Sequence, residues 1–406
     1  MHQRPYLIMT EFSIPAGEIE KRCRRFQKKL QKNRLDGALI VQRVDLLYFS
    51  GTAQNGVLYM PVQGDPVLLV KKFLPRARRE SPLKNVMPLP AMRDIPKIIR
   101  DRCGSLPNIL GFELDVMPVN DFSYYRSLFP SCSPEDASPL ILTVRMIKSA
   151  WEIEQIEKTA EMSRKTFVFM KQILTPGMTE MEFAAQFEAY ARQLGHGGQL
   201  RVRDYQTEGY AWHVLSGTSG GMTGLLDSPA SGEGTSAAFP CGAGHKKIKA
   251  GEPVMVDFSS VLNGYHMDET RMFAVGSMPE EALKACEAAI QIHRDALSYI
   301  QPGITTTRDL YKRTIEIAVS LGYQENYLGI PGHKVSFVGH GIGLELVELP
   351  LIAKSRERVL EPGMTFALEP KLVFENRFIA GIESVILVTK TGARLISRVP
   401  PQVFIC

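Results

Sequence analysis

PVMVDFSSVLNGYHMDETRMFAVG, residues 253–276, decides how the rest of this chain is read. Asn263-Gly264 is a two-residue hairpin signal between runs of β-branched and aromatic residues. With the turn there, Leu262 pairs with Tyr265 and Ser259 falls opposite Asp268. Asp257 lies two residues before Ser259, on the same strand face, and so becomes a diagonal neighbour of Asp268. Diagonal cross-strand positions are roughly 7–8 Å apart at Cα, within reach of two carboxylates sharing cations. In an apolar setting two aspartates this close repel unless cations neutralise them. Taken alone, the same pair also reads as two solvent-facing strand residues.

A second segment carries the same pattern. Gly251 precedes Asp257 by six residues, and Gly363 precedes Glu369 by six. Both acids close apolar runs, VMV and TFAL, and each is followed by a return strand with a second acid, Asp268 or Glu383. The flanks repeat as well: Leu174-Thr175-Pro176-Gly177-Met178-Thr179 reappears as Ile300-Gln301-Pro302-Gly303-Ile304-Thr305. Each copy follows one long helical pattern and precedes another, ending at Leu194-Gly195 and Leu321-Gly322. Pro and Gly end the first helix of each pair and a threonine caps the next, with Thr179 and Glu182 spaced as a capping box. The second half is thus expected to be two similar units, each helix–turn–helix plus a β-hairpin.

Gly339-His340-Gly341-Ile342-Gly343 adds an imidazole between glycines, where the bare backbone permits close approach. An ordinary loop histidine fits the same motif. As a nucleotide signal the glycines are weak, because the phosphate-loop Lys-Ser/Thr is missing. Four carboxylates and one imidazole suit a pair of divalent ions such as Mn, Co, Zn or Fe. Ions about 3.5–4 Å apart lower the pKa of a shared water and polarise a carbonyl.

The first part of the chain has a different texture. Residues 17–34 have helical spacing, and GALIV (37–41), GVLYM (56–60), PVLLV (66–70) and NILGFELD (108–115) read as strands around a helix near 94–103, giving a small α/β domain. The basic run KRCRRFQKKLQK (21–32) reads as the solvated face of a helix rather than a phosphate-binding patch. Ser149 and Glu152 have capping-box spacing, so a long helix begins there and a domain boundary falls near 143–149. At 406 residues, 44% hydrophobic, 22% charged and net +5, the composition is that of a soluble globular protein without a nucleic-acid partner. No apolar run approaches the ~20 residues of a membrane span, and MHQRPYLIMTEFSIP lacks the features of a secretory signal. Six scattered cysteines without a CxxC are expected to be free thiols in a reducing cytoplasm.

Val256-Asp257-Phe258, Tyr265-x-x-Asp268-x-Thr270-Arg271, Gly339-His340-Gly-Ile-Gly-Leu-Glu345, Pro362-Gly-Met-x-Phe-x-Leu-Glu369-Pro370 and Ile382-Glu383 together resemble the M24 metallopeptidases: Xaa-Pro aminopeptidases, prolidases and creatinase. LDGALIVQRVDLLYFSGT (35–52) resembles their N-terminal domain. The resemblance implies a creatinase-like α/β domain over residues 1–145, then an α+β duplicated pita-bread catalytic domain over 146–406. It implies that Asp257 chelates one ion, that His340 and Glu369 hold the other, and that Asp268 and Glu383 bridge them. Manganese is the expected metal, the substrate a short peptide, the assembly a homodimer. A metal-bridging hydroxide would attack the peptide carbonyl, with Glu369 taking its proton.

Three positions depart from the pattern. The family's G-L-E-V-H-E run has Val347 in place of its histidine, a second family histidine falls at Cys241, and an arginine two residues before the last glutamate is Gly381. His213, before Ser216-Gly217, is a candidate to line the pocket; His245 and His266 read as surface residues, and Cys241 as a small packing residue. The Gly/Ser/Thr-rich stretch 217–244 reads as a lid or substrate-selecting loop, or as a disordered surface loop. Besides an Xaa-Pro-type peptidase, the site therefore admits a metal-dependent C–N hydrolase or lyase of a small non-peptide substrate. A non-catalytic pita-bread binding protein is the third reading.

Overall fold

A computed structural model describes residues 12–204 and 212–406; most of the stretch read for a secretory signal, and Ala211 beside the candidate His213, lie outside these. Residues Met1–Arg145 and Met146–Cys406 form two compact units.

Short apolar runs cut by Gly and Pro alternate with helices in the first unit, and the alternation produces a single sheet with helical cover. In chain order come α1 (Ala16–Lys32), β1 (Gly37–Ile40), α2 (Arg43–Ser50), β2 (Gly56–Pro61), β3 (Val67–Val70), α3 (Leu74–Glu80), β4 (Asn85–Pro88), α4 (Ile95–Cys103), β5 (Ile109–Phe112), α5 (Val119–Leu128), β6 (Ser133–Asp136) and α6 (Ser138–Met146). The strands order as β4-β3-β2-β1-β5-β6, antiparallel from β1 through β2 to β3 and parallel elsewhere. On α1, Ile19, Cys23, Phe26 and Leu30 are buried at helical spacing, and most of the basic residues face water as expected. Arg22 is the exception. Its guanidinium lies over the Tyr48 ring, donates to Glu18 and to the Tyr48 carbonyl, and is 1% exposed.

In the second unit α7 (Ala150–Ile173) starts at Ser149, whose hydroxyl accepts from the Glu152 N–H while the Glu152 carboxylate accepts from the Ser149 N–H. α8 (Glu180–Gln193) starts at Thr179 with the same reciprocal pair to Glu182. Next are β7 (Trp212–Ser216), β8 (Val254–Leu262), β9 (Tyr265–Ala274), α9 (Glu280–Tyr299) and α10 (Thr307–Ser320). The α10 cap is Thr306 paired with Asp309, one residue later than the repeat places it. Thr305 instead closes the turn, accepting from the Gln301 N–H. β10 (Phe337–Gly341), β11 (Glu348–Ala353), β12 (Thr365–Leu368), β13 (Lys371–Phe374), β14 (Phe378–Gly381), β15 (Ser384–Val388), β16 (Ala393–Leu395) and β17 (Phe404–Ile405) complete the unit. One sheet orders β17-β9-β8-β7 and the other β11-β10-β12-β15-β16. Each packs against its own helix pair: Phe183, Phe187 and Phe258 lie in one core, Ile292, Leu310, Phe366 and Ile386 in the other. Among the described residues no helix is long and apolar enough to cross a membrane.

His293 on α9 is buried, and its Nε2 has no hydrogen-bond partner. Burial, and secondarily the charge of Arg271, push its pKa down to about 3. An unfolded histidine titrates near 6.5. Between these values the unfolded chain binds the extra proton, so stability rises with pH and is lost as pH falls below about 6.5. The slope from one such group is about 1.4 kcal/mol per pH unit. His293→Leu should therefore shrink the difference in unfolding free energy between pH 7 and pH 5 by about 2 kcal/mol. Urea melts at the two pH values measure it, and an unchanged difference would show that His293 is not buried as the neutral ring.

Candidate metal centre

The turn at Asn263 and Gly264 has φ of 55° and 84°, the left-handed pair that a type I′ hairpin requires. It fixes the β8–β9 register: Leu262 opposite Tyr265, Ser259 opposite Asp268, and Asp257 opposite Thr270. Asp257 and Asp268 thus take the diagonal positions read from the sequence. The second pair of acids is arranged differently. Leu368 and Ser384 end the β12–β15 ladder, and Glu369 and Glu383 are the next residues on either side, just past its end. Between them β13 and β14 form a separate two-stranded ribbon, so the second unit is not the simple hairpin expected.

His340 lies on β10, between β11 and β12. Its flanking glycines are needed for space. A Cβ at Gly339 would stand 2.3 Å from the Ala367 carbonyl oxygen, and one at Gly341 2.2 Å from that of Leu349.

These elements bring Asp268, His340, Glu369 and Glu383 together. His340 Nε2 is 3.7 Å from Asp268 Oδ2 and 3.9 Å from both Glu369 Oε1 and Glu383 Oε1. Donor atoms bonded to one ion at about 2.1 Å lie roughly 3–4 Å from one another. Asp268, His340 and Glu383 each offer an atom to a common centre. The other oxygens are held from behind: Ser259 donates to Asp268 Oδ1 at 2.8 Å, and Thr270 donates to Glu383 Oε2 at 2.9 Å. His340 Nδ1 lies 3.2 Å from the Gly341 carbonyl, so a neutral ring gives its proton there and aims the Nε2 lone pair at three carboxylates. Glu383 Oε1 is buried without a hydrogen-bond partner. A lone pair and an orphaned carboxylate oxygen facing one point are what a cation would satisfy. The donor set fits a divalent ion.

Sequence reasoning did not find Lys371. It is 1% exposed, with Nζ 2.9 Å from Asp257 Oδ2, 2.9 Å from Glu369 Oε2 and 3.6 Å from Glu383 Oε2. Four carboxylates against one ammonium leave three negative charges in excess if all are ionised. Burial, and then the charge of Asp257, hold the Asp268 carboxyl well above its usual range. Glu383 is raised well above its own by burial and the charges of Asp268 and Asp257. Burial would raise Asp257 too, but the Lys371 ammonium outweighs it and the carboxyl lies below the ordinary value. Burial likewise disfavours the ammonium, and the charges of Asp257, Glu369 and Glu383 reverse that. The available signal was position: Lys371 is two residues after Glu369, and a lysine opening the apolar run LVF is as misplaced as the acids.

Arg271 was quoted in the motif without a role. Its guanidinium is 1% exposed and donates to five oxygens: the Thr270, Glu383, Val399 and Pro400 carbonyls and the Ser384 hydroxyl. It fixes the backbone of Glu383 and ties β9 to the segment leading to β17.

His213 sits on β7 opposite Asp257, and its Nε2 is 3.0 Å from the Ser231 carbonyl. Burial lowers its pKa, with the Asp257 charge acting against it. His266 is not a surface residue. It is buried in β9, with Nε2 accepting from the Arg201 N–H at 3.1 Å and Nδ1 donating to the Gly343 carbonyl at 3.0 Å. Burial drops its pKa to about 4, and that bonding leaves no place for a second ring proton. His245 is exposed and Cys241 is a buried free thiol. Val347 is 42% exposed, and Gly381 pairs with Lys371 across the β13–β14 ribbon. Residues 217–244 are not a disordered loop. Ser231 is fully buried and accepts from the Gly242 N–H, and the Glu180 carboxylate holds the Ser216 and Gly244 N–H groups.

The family model for metallopeptidase family M24 matches residues 154–390, and that for the creatinase/prolidase N-terminal domain matches 22–147. An Xaa-Pro dipeptidase of Pyrococcus furiosus is 27% identical over 94% of this chain and 98% of its own length. An uncharacterized peptidase of Bacillus subtilis is 24% identical over 91% and 96%. Among solved structures, an Xaa-Pro dipeptidase from Bacillus anthracis superposes with a TM-score of 0.81 at 22% identity, covering 96% of this chain and all of that one. An X-Pro aminopeptidase from Thermotoga maritima gives 0.79 at 22% identity, over 93% and 100%. The fold is therefore the pita-bread fold behind a creatinase-type N-terminal domain. With a buried acid–imidazole group set into that fold and the family match running through both sheets that form it, the chain belongs to metallopeptidase family M24.

Proposed function

We propose that the chain is a metal-dependent peptidase of the Xaa-Pro type acting on short peptides, with residues 1–145 as an accessory domain and 146–406 as the catalytic one. The observation that carries this is the convergence of Asp268, His340 and Glu383 on one point, with Glu383 Oε1 unpaired there and Glu369 Oε1 3.9 Å from the same imidazole nitrogen. The relatives named as Xaa-Pro dipeptidases supply the substrate class. Asp257 extends the set to five, enough donors for up to two divalent ions, with manganese the first candidate because oxygen ligands dominate. A divalent ion supplies Lewis acidity, polarising a carbonyl and lowering the pKa of a water.

The residues do the rest. Asp268, His340 and Glu383 fix the ion's place, and Ser259 and Thr270 keep the carboxylates from rotating. The Glu369 carboxylate accepts the proton lost by an attacking water and returns it to the leaving amine. Burial keeps His213 a neutral ring beside Asp257, where it orients the substrate. A homodimer in the cytoplasm accompanies this reading, and six free thiols suit a reducing compartment.

A second reading, a metal-dependent C–N hydrolase or lyase of a small non-peptide molecule, is favoured by one observation. The positions of the family's two helper histidines hold a half-exposed valine, Val347, and a buried cysteine, Cys241, and neither offers an imidazole to relay a proton. Xaa-Pro dipeptides and longer Xaa-Pro peptides, assayed with manganese, separate the two. Cleavage is expected, abolished by chelation and reduced at least 10²–10³-fold in Asp268→Ala. Bound metal without cleavage of any peptide would favour the second reading, and a protein that binds no metal would be a non-catalytic member of the fold. Thr270→Val, which removes only the hydroxyl holding Glu383, should weaken metal affinity by about 10–100-fold while leaving the fold intact. Metal titration followed by calorimetry and circular dichroism reads both effects.

A further inference from the structure

We propose that the Lys371 ammonium takes the place of a second divalent ion, so that the centre holds one ion, between Asp268, His340, Glu369 and Glu383. The inference rests on the metal-centre reading above and deepens it.

The carboxylates divide their oxygens between two cation positions. Glu369 turns Oε1 toward His340 and Oε2 toward Lys371, and Glu383 does the same with its Oε1 and Oε2. On the His340 side the three carboxylate oxygens each stand 3.7–3.9 Å from His340 Nε2, and among the described residues no lysine or arginine is paired with those oxygens. On the Asp257 side the cation position is filled by Lys371 Nζ, at hydrogen-bond distance from Asp257 and Glu369. Asp257 is the residue that, by family resemblance, chelates an ion without His340. Here its carboxylate is paired with an ammonium. A doubly charged ion at that position would meet the ammonium across shared oxygens, and the lysine, 1% exposed, is closed off from water.

The ribbon explains how a lysine fits there. Gly381 is the cross-strand partner of Lys371, and a Cβ at 381 would lie 2.7 Å from Lys371 Cγ. Family resemblance puts an arginine at this position. The arginine has become glycine, and the space beside the opposite strand is taken by the stem of a lysine whose charge enters the centre. The two positions are linked in space: the glycine at 381 leaves room for the lysine stem at 371.

The test uses the full chain, stripped of metal and reloaded with excess manganese(II), then freed of unbound ion. Elemental analysis counts the bound metal, and electron paramagnetic resonance distinguishes an isolated ion from a spin-coupled pair. The expected result is about one manganese per chain with the spectrum of an isolated ion. Lys371→Met should take about two, with a coupled spectrum, and Gly381→Ala, which crowds the lysine stem, should shift the native protein in the same direction. Native protein holding two manganese ions in a coupled pair would overturn the proposal and leave the metal-centre reading standing. So would a folded Lys371→Met protein that still takes one. Native protein that binds none would overturn both. Should Lys371→Met fail to fold, the native count and spectrum decide alone.

Discussion

Three buried carboxylates and a fourth, partly buried one within reach of one another are the constraint to which the second unit is built. Each costs several kcal/mol to remove from water, and each raises the cost of the next. Nearly every unusual local feature is a response. Two glycines strip the backbone beside His340 so that three strands can close around it. Ser259 and Thr270 give the acids hydroxyl partners. Lys371 brings a counter-charge to a place closed to water. Arg271 donates to the Glu383 carbonyl and ties it to Thr270, Ser384, Val399 and Pro400 through four further oxygens. The helix pairs and sheets are scaffolding by comparison, and their cores are ordinary aromatic and aliphatic packing.

Much of this was legible in the sequence, for reasons that are local. A two-residue Asn-Gly turn determines register, so the relation of Asp257 to Asp268 followed from counting. Capping boxes at Ser149 and Thr179 involve residues three apart and were found where they were read. The duplication was visible through its punctuation, although Thr306 shows how one added residue shifts a cap without disturbing the helix. What escaped depends on tertiary context. Lys371 looks like an edge-strand charge until the fold brings Asp257, more than a hundred residues earlier, against it. The β13–β14 ribbon was hidden because Glu369 and Glu383 suggested a simple return strand. His266 was assigned to the surface because strand alternation points it away from Asp268, but that other face is also covered, by the backbone at Arg201 and Gly343.

The acid–imidazole group is in place, while Val347 is half-exposed, Cys241 is a buried thiol and Gly381 faces Lys371 across the ribbon. Family resemblance leads one to expect another residue at each of the first three and leaves Lys371 unmentioned. Segment 217–244 is pinned by Glu180 and by Ser231, the latter through its contact with His213, so its shape is coupled to a residue opposite Asp257. The segment is a fixed wall rather than a loose flap.

Arg271 reaches across to the carbonyls of Val399 and Pro400, and β17 pairs with β9 at Phe404 and Phe273. During translation the acids of β8 and β9 leave the ribosome long before these partners do. A nascent chain holding Asp257 and Asp268 must wait for well over a hundred further residues before Glu383 arrives, and longer for the carbonyls that anchor Arg271. Until Glu383 is made the four acids cannot be brought together, so this cluster is among the last parts of the molecule that can assemble. A product ending between residues 384 and 398 would carry all four acids yet leave Arg271 without the Val399 and Pro400 carbonyls.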